Sequence, residues 1–176
     1  MGMSYILITD KETTCTGRFP YQLGYFFEAI GGYGEKSEVV QVSQLLNVDL
    51  NTFQHYDYGE DDPAIEKTFW KDVSHYEQVI HTLIDSINAH PDYHIHLKYD
   101  PKPWPGVVHS LDSIKPGDTD RLKKVLADYE QNPASLYPAD SGYLREGRIL
   151  NDLNDLLKTL NCFRSQGVKQ IKLLYI

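Results

Sequence analysis

Ile171, Leu173, Leu174, Tyr175 and Ile176 follow one another almost without interruption at one end of the chain. A β-strand sends successive side chains to opposite faces, so a run apolar on both must pair centrally or be covered on both sides. Such a strand demands other strands beside it and helices over it. A partner stands at the other end of the sequence. Residues 4–9 (Ser-Tyr-Ile-Leu-Ile-Thr) are aromatic and β-branched and stop at Asp10-Lys11-Glu12, which reads as a second buried strand.

The covering helices are written in the spacing of apolar residues. After Asp62-Pro63, an N-cap followed by proline at the first helical position, Phe69, Val73, Tyr76, Ile80, Leu83 and Ile87 recur at steps of four and three, which predicts one long core helix ending at His90-Pro91. Ile149, Leu150, Leu153, Leu156, Leu157, Leu160 and Phe163 form a second stripe, with Arg148, Asn151, Asp155 and Lys158 on its wet side and Gly167 as its stop. Pro20 opens a helix with Leu23, Phe26, Phe27 and Ile30 inward. Ser37 caps one bearing Val39, Val40, Val42, Leu45 and Leu46. Asp118 or Thr119 caps another with Leu122, Val125, Leu126 and Tyr129 inward. Residues 53–58 suit an edge strand or an extended loop, and 93–99, alternating with period two, a half-exposed strand.

Strands separated by unequal, helix-rich stretches favour α+β over α/β: a three- to four-stranded, largely antiparallel sheet with several helices packed on it. All 176 residues form one domain, without repeats or linkers.

Charge narrows the partners. Twenty-five acidic and 17 basic residues give a formal net charge of −8, which argues against nucleic acid and anionic membranes and suits a basic protein. Residues 1–10 have no basic region and only a short apolar run, so neither a signal peptide nor a membrane span is expected there. Two cysteines, Cys15 and Cys162, are too few for a disulfide scaffold and point to a reducing cytoplasm. Cys15 reads as a bystander thiol in a polar loop, and Cys162 as a small packing residue.

Motifs that carry chemistry are missing. Gly31-Gly32-Tyr33-Gly34-Glu35-Lys36-Ser37 resembles a phosphate loop, but Glu35 separates glycine from lysine and a helix precedes it. His94 and His96 share a face of the expected strand without a third metal ligand, and His75 and His81, six apart, diverge on their helix. Gly-x-Ser-x-Gly and Ser-x-x-Lys do not occur. Asp10 and Glu12 leave the first strand without partners that would assign them acid or base roles. Asp152 falls on a solvated helix face, where Arg148 supports it at four-residue spacing. No catalytic residue, cofactor or metal site is expected.

An interaction surface is. Tyr56-Asp57-Tyr58-Gly59-Glu60-Asp61-Asp62 gathers four carboxylates and two tyrosines in seven residues. Asp61 and Asp62 suit the positive end of the following helix; the remainder suits a basic protein surface, rings giving contact area and charges speeding encounter. Trp104, held among prolines, is a second candidate contact. Reversing Asp57, Glu60 and Asp61 to lysine is expected to weaken binding and spare the fold.

The layout resembles small bacterial immunity proteins of polymorphic toxin systems. The similarity lies in Tyr25-Phe26-Phe27-Glu28 on an early helix, the Trp70-containing helix, Pro103-Trp104-Pro105-Gly106, and Gly147-Arg148-Ile149-Leu150-Asn151-Asp152-Leu153 before a terminal strand. The resemblance implies a non-enzymatic protein that binds a cognate, basic, nuclease-like toxin domain and blocks it. Two other classes stay open: a small enzyme or ligand-binding domain with a pocket near Cys15, Asp10 and the histidines, and a regulatory subunit of a larger complex.

Overall fold

The structure, a computed structural model, describes residues 5–29, 37–98, 115, 117–131 and 142–176. Its sheet has the order β1-β3-β2, with β1 at Tyr5–Thr9, β2 at Lys71–Asp72 and β3 at Gln170–Tyr175. Both pairings are antiparallel: Tyr5 faces Tyr175, Leu7 faces Leu173, and Lys71 faces Ile171. The apolar run of residues 171–176 thus occupies the centre, as its double-sided hydrophobicity requires. Tyr5, Leu7, Ile171, Leu173 and Tyr175 point into the core, while Ile6, Ile8 and Leu174 are half-buried on the other face.

Helices α1 (Tyr21–Ala29), α2 (Glu38–Leu46), α3 (Asn51–Gln54), α4 (Pro63–Phe69), α5 (Val73–Ala89), α6 (Thr119–Gln131) and α7 (Arg148–Ser165) complete the α+β architecture. The two strongest stripes meet as expected: Tyr76, Ile80 and Leu83 of α5 and Leu153, Leu156, Leu160 and Phe163 of α7 are at most 1% exposed. Each such side chain stabilises the fold by roughly 1.5–3 kcal/mol. Phe27 stacks on Phe53 at 4.3 Å, fixing α1 against α3. In α2, Val39, Val42 and Leu46 are buried. Gly167, in the left-handed region at φ 75°, turns the chain from α7 toward β3.

Four local expectations are corrected. The helix expected from Asp62 to His90 is two helices, because β3 needs a hydrogen-bonding partner at its start and Lys71–Asp72 supply it. Trp70 is extended (φ −73°, ψ 126°), and Asp72 starts α5 afresh. Residues 93–96 form a 3-10 turn rather than a strand; the amides of Tyr93, Ile95 and Leu97 bond to carbonyls three residues back, and Ile95 is 67% exposed. Of residues 53–58, expected as an edge strand or an extended loop, Phe53 and Gln54 belong to α3 and the remainder is extended with one parallel bridge, between Asp57 and Leu174. Leu122 is exposed on α6.

The cysteines are a further correction, and the one with chemical consequence. Cys15 and Cys162 form a disulfide across 147 positions of sequence, so neither is a bystander or a simple packing residue. Gln166 reinforces the same junction by accepting from the Thr13 hydroxyl and the Thr14 amide. Sequence spacing carries no signal for a contact between two residues so far apart in the chain. Among the described residues no helix is long and apolar enough to cross a membrane.

Candidate partner-binding surface

The acidic, tyrosine-rich segment runs along the second half of β3. Asp57 donates its amide to the carbonyl of Leu173 and accepts from the amide of Tyr175, so residues 56–58 alternate like a strand. Alternation separates their roles. Tyr56 and Tyr58 turn to the core side of the sheet, and Asp57 turns to the other side.

There Asp57, 1% exposed, receives the Lys172 ammonium at 2.6 Å through Oδ2 and the amides of Gly59 and Glu60 at 2.8 and 2.7 Å through Oδ1. Lys172 also donates to Glu66 of α4 at 2.7 Å and lies 5.5 Å from the Trp70 ring centroid. Burial opposes the charge on Asp57, but the Glu60 amide, Lys172 and the Gly59 amide outweigh it and hold the carboxyl below its ordinary range. Burial likewise opposes the charge on Lys172, and its bonds to Asp57 and Glu66 overcome it, raising the ammonium. Gly59, at φ 87°, makes the turn that lets both amides converge on one oxygen. Asp57 is therefore an internal anchor. The expectation that its reversal to lysine spares the fold is corrected: that change would set two ammonium groups against each other in a buried site.

The other expected contact residues divide by role. Tyr58 is 68% exposed. Its hydroxyl donates to that of Tyr56 at 2.7 Å, and its ring meets Tyr56 at 4.8 Å and Tyr175 at 5.4 Å, both edge-on. Tyr56 is half-buried against Tyr5 and Tyr175. Asp62 caps α4 by accepting from the Ala64 amide, and Glu60 accepts from the Asp62 amide; both are exposed. Asp61 is exposed and makes no hydrogen bond or ion pair among the described residues. Trp104 lies outside the described residues, as do positions 31–36 of the glycine-rich segment.

The structure adds residues that the sequence reading passed over. Tyr175 donates its hydroxyl to Glu28 on α1, tying the helix to the tyrosines. Tyr21 and Tyr25, 58% and 50% exposed, stand seven and three positions before Glu28 and so on the same side of α1. Burial, the Tyr58 hydrogen bond and nearby charge push the Tyr56 hydroxyl up to about 12, and burial with the Glu28 bond raises that of Tyr175 as well. These phenols stay protonated at neutral pH. One signal was available: Lys172 is a lone charge inside an apolar strand, which requires a buried carboxylate opposite.

The places proposed for chemistry are used structurally. Cys15 is oxidised, so no thiol is present there, and Asp10 accepts from the Lys169 amide. His94 and His96 sit on the 3-10 turn and do not share a strand face. No group of three or more His, Cys, Asp or Glu among the described residues is placed to hold a metal. A shallow groove of about 470 Å³ is lined by Asp49, Thr52, His55, Lys71 and His75; His75 faces the Thr52 hydroxyl at 3.0 Å, and His55 faces Thr68 at 3.4 Å. On α7, Asp152 accepts from the Tyr143 hydroxyl, and Arg148 pairs with Glu146.

Comparison with protein-family models, with curated proteins and with solved structures finds no match.

Proposed function

We propose that this chain is a non-enzymatic protein-binding module, an inhibitor of the immunity type, whose acidic and tyrosine-rich surface engages a basic toxin domain. The observation that carries the reading is the presentation of Tyr58. A large aromatic side chain, 68% exposed, is held out on a turn anchored from beneath by Asp57 and Lys172. A turn already fixed in place loses little conformational entropy when a partner docks, which favours affinity. Exposed carboxylates at Glu60, Asp61 and Asp62 follow it in the chain, and the net charge of −8 draws a basic partner toward it.

The Cys15–Cys162 disulfide favours encounter in an oxidising compartment, in place of the reducing cytoplasm expected from the cysteine count. The test is capture of a partner from the producing organism by the tagged chain, at low and at physiological salt. A basic toxin domain should be retained, and Glu60→Lys with Asp61→Lys should release it. Retention unaffected by that pair, but lost with Asp85→Lys on the exposed side of α5, would place the binding surface elsewhere.

A further inference from the structure

Tyr56, Tyr58 and Tyr175 come from two separate segments yet form one aromatic corner. Tyr56 and Tyr175 lie 5.1 Å apart and inclined at 35°, and the Tyr58 ring stands against both at 67° and 81°. The two inner rings are fixed from below by Tyr5, at 5.2 Å from each. Glu28 closes the corner from α1. One of its oxygens takes the Tyr175 hydroxyl; no ion pair reaches the carboxylate among the described residues. The nearest lysine along β3, Lys172, is committed on the opposite face to Asp57 and Glu66.

A ring face carries negative potential, and a carboxylate beside it adds a full charge. A cation that can lie flat on one and hydrogen-bond the other fits both at once. Guanidinium does so, being planar, weakly hydrated and forked; an ammonium is a compact, strongly hydrated point charge. We infer that Tyr58, whose ring is open to solvent and is backed by half-buried Tyr56 and buried Tyr175 beside Glu28, is a seat for an arginine side chain of the partner. This rests on the protein-binding reading and names the chemical group at its centre.

An acetylated hexa-arginine amide is the probe, with hexa-lysine as comparison, added to the intact oxidised chain at physiological salt while tyrosine ring resonances are followed by NMR. Saturable shifts at Tyr56 and Tyr58 are expected, with hexa-arginine binding tighter than hexa-lysine. A cation–π contact of about 1 kcal/mol corresponds to about five-fold in affinity. Tyr58→Ala and Glu28→Gln should each weaken binding by about that factor, whereas Tyr58→Phe should retain it. Gln at position 28 still accepts from Tyr175, so the fold is preserved, as circular dichroism would verify. Equal weakening by Asp85→Asn, no saturation, or equal affinity for the two peptides would overturn the inference. A partner captured as above but indifferent to Tyr58→Ala and Glu28→Gln would also overturn it, leaving the protein-binding reading intact. Arginine binding with no partner captured would leave the seat standing and count against the inhibitor reading.

Discussion

The Lys172 ammonium lies 2.6 Å from the Asp57 carboxylate, joining the middle of the central strand to a turn 115 positions earlier in sequence. Their side chains are 11% and 1% exposed, so water compensates neither if the other is removed. Asp57→Ala leaves Lys172 with Glu66 alone and two turn amides without an acceptor. Breaking a buried pair from one side costs about 3–5 kcal/mol, and because Glu66 stays in place the lower end is expected here. Urea unfolding of the variant measures this; a loss below about 1 kcal/mol would show the pair to be as weak as a surface one.

Alkali should unfold the chain earlier than an ordinary acidic domain. Tyr56 is raised to about 12, and Tyr5, Tyr175 and Lys172 are raised too. A group whose folded value lies above its unfolded one contributes stability present below the unfolded value and lost as pH rises through the folded one. Stability should therefore fall from about pH 10 towards 12. Tyr56→Phe should make the decline shallower in denaturant titrations at stepped pH. Asp57 acts at the opposite end: its lowered value contributes stability above the usual carboxylate range that is lost as pH falls through the lowered value.

Reduction of the Cys15–Cys162 bond leaves the loop after β1 tied to the end of α7 by the Gln166 hydrogen bonds, without a covalent link. Closing so long a loop constrains the unfolded chain, and disulfides typically contribute about 2–4 kcal/mol. Thermal unfolding with and without dithiothreitol should differ for the natural chain and coincide for Cys15→Ser with Cys162→Ser. Coincidence in both would mean that the bond adds nothing beyond the Gln166 hydrogen bonds.

Gly17→Ala should be among the more damaging small changes. A Cβ there would stand 2.5 Å from the Leu7 carbonyl oxygen, which is backbone and cannot swing away, and the Leu7 amide is bound to the Gly17 carbonyl. Overpacking of this kind costs about 1–3 kcal/mol. Chemical denaturation would measure it, and stability equal to that of the natural chain would show that β1 yields freely at this point.

Glu60→Lys and Asp61→Lys should leave stability within about 0.5 kcal/mol, since both side chains are exposed and only a local amide contact of Glu60 is lost. The same pair should slow association with a basic partner, more at low salt than at high. Kinetics insensitive to salt would argue against steering by this segment.

Much of the candidate surface was legible, but its internal division was not. Clustering of Tyr56, Tyr58, Glu60, Asp61 and Asp62 marks an exposed polar segment in any fold that keeps it on the surface. Asp57 looks the same in sequence, yet it is buried, because its neighbour in space is a lysine from β3. Tyr175 and Glu28 could not be joined to the segment by spacing, since their contacts cross most of the chain.

By itself the sequence determined what local chemistry controls. Residues 5–9 and 170–175 are strands because both are β-branched, aromatic and aliphatic, and α7 is one helix because its stripe continues unbroken to Gly167. Tertiary structure decided where local preference was divided. The stripe from Phe69 to Ile87 is as helical at Lys71 and Asp72 as elsewhere, but β3 presents unpaired backbone groups there, and satisfying them outweighs two more helical residues. The alternation at residues 93–96 likewise gave way once Tyr93 alone was buried and Ile95 faced water. The Cys15–Cys162 bond and the Asp57–Lys172 pair belong wholly to this second kind, for each needs two distant segments already packed before its geometry exists.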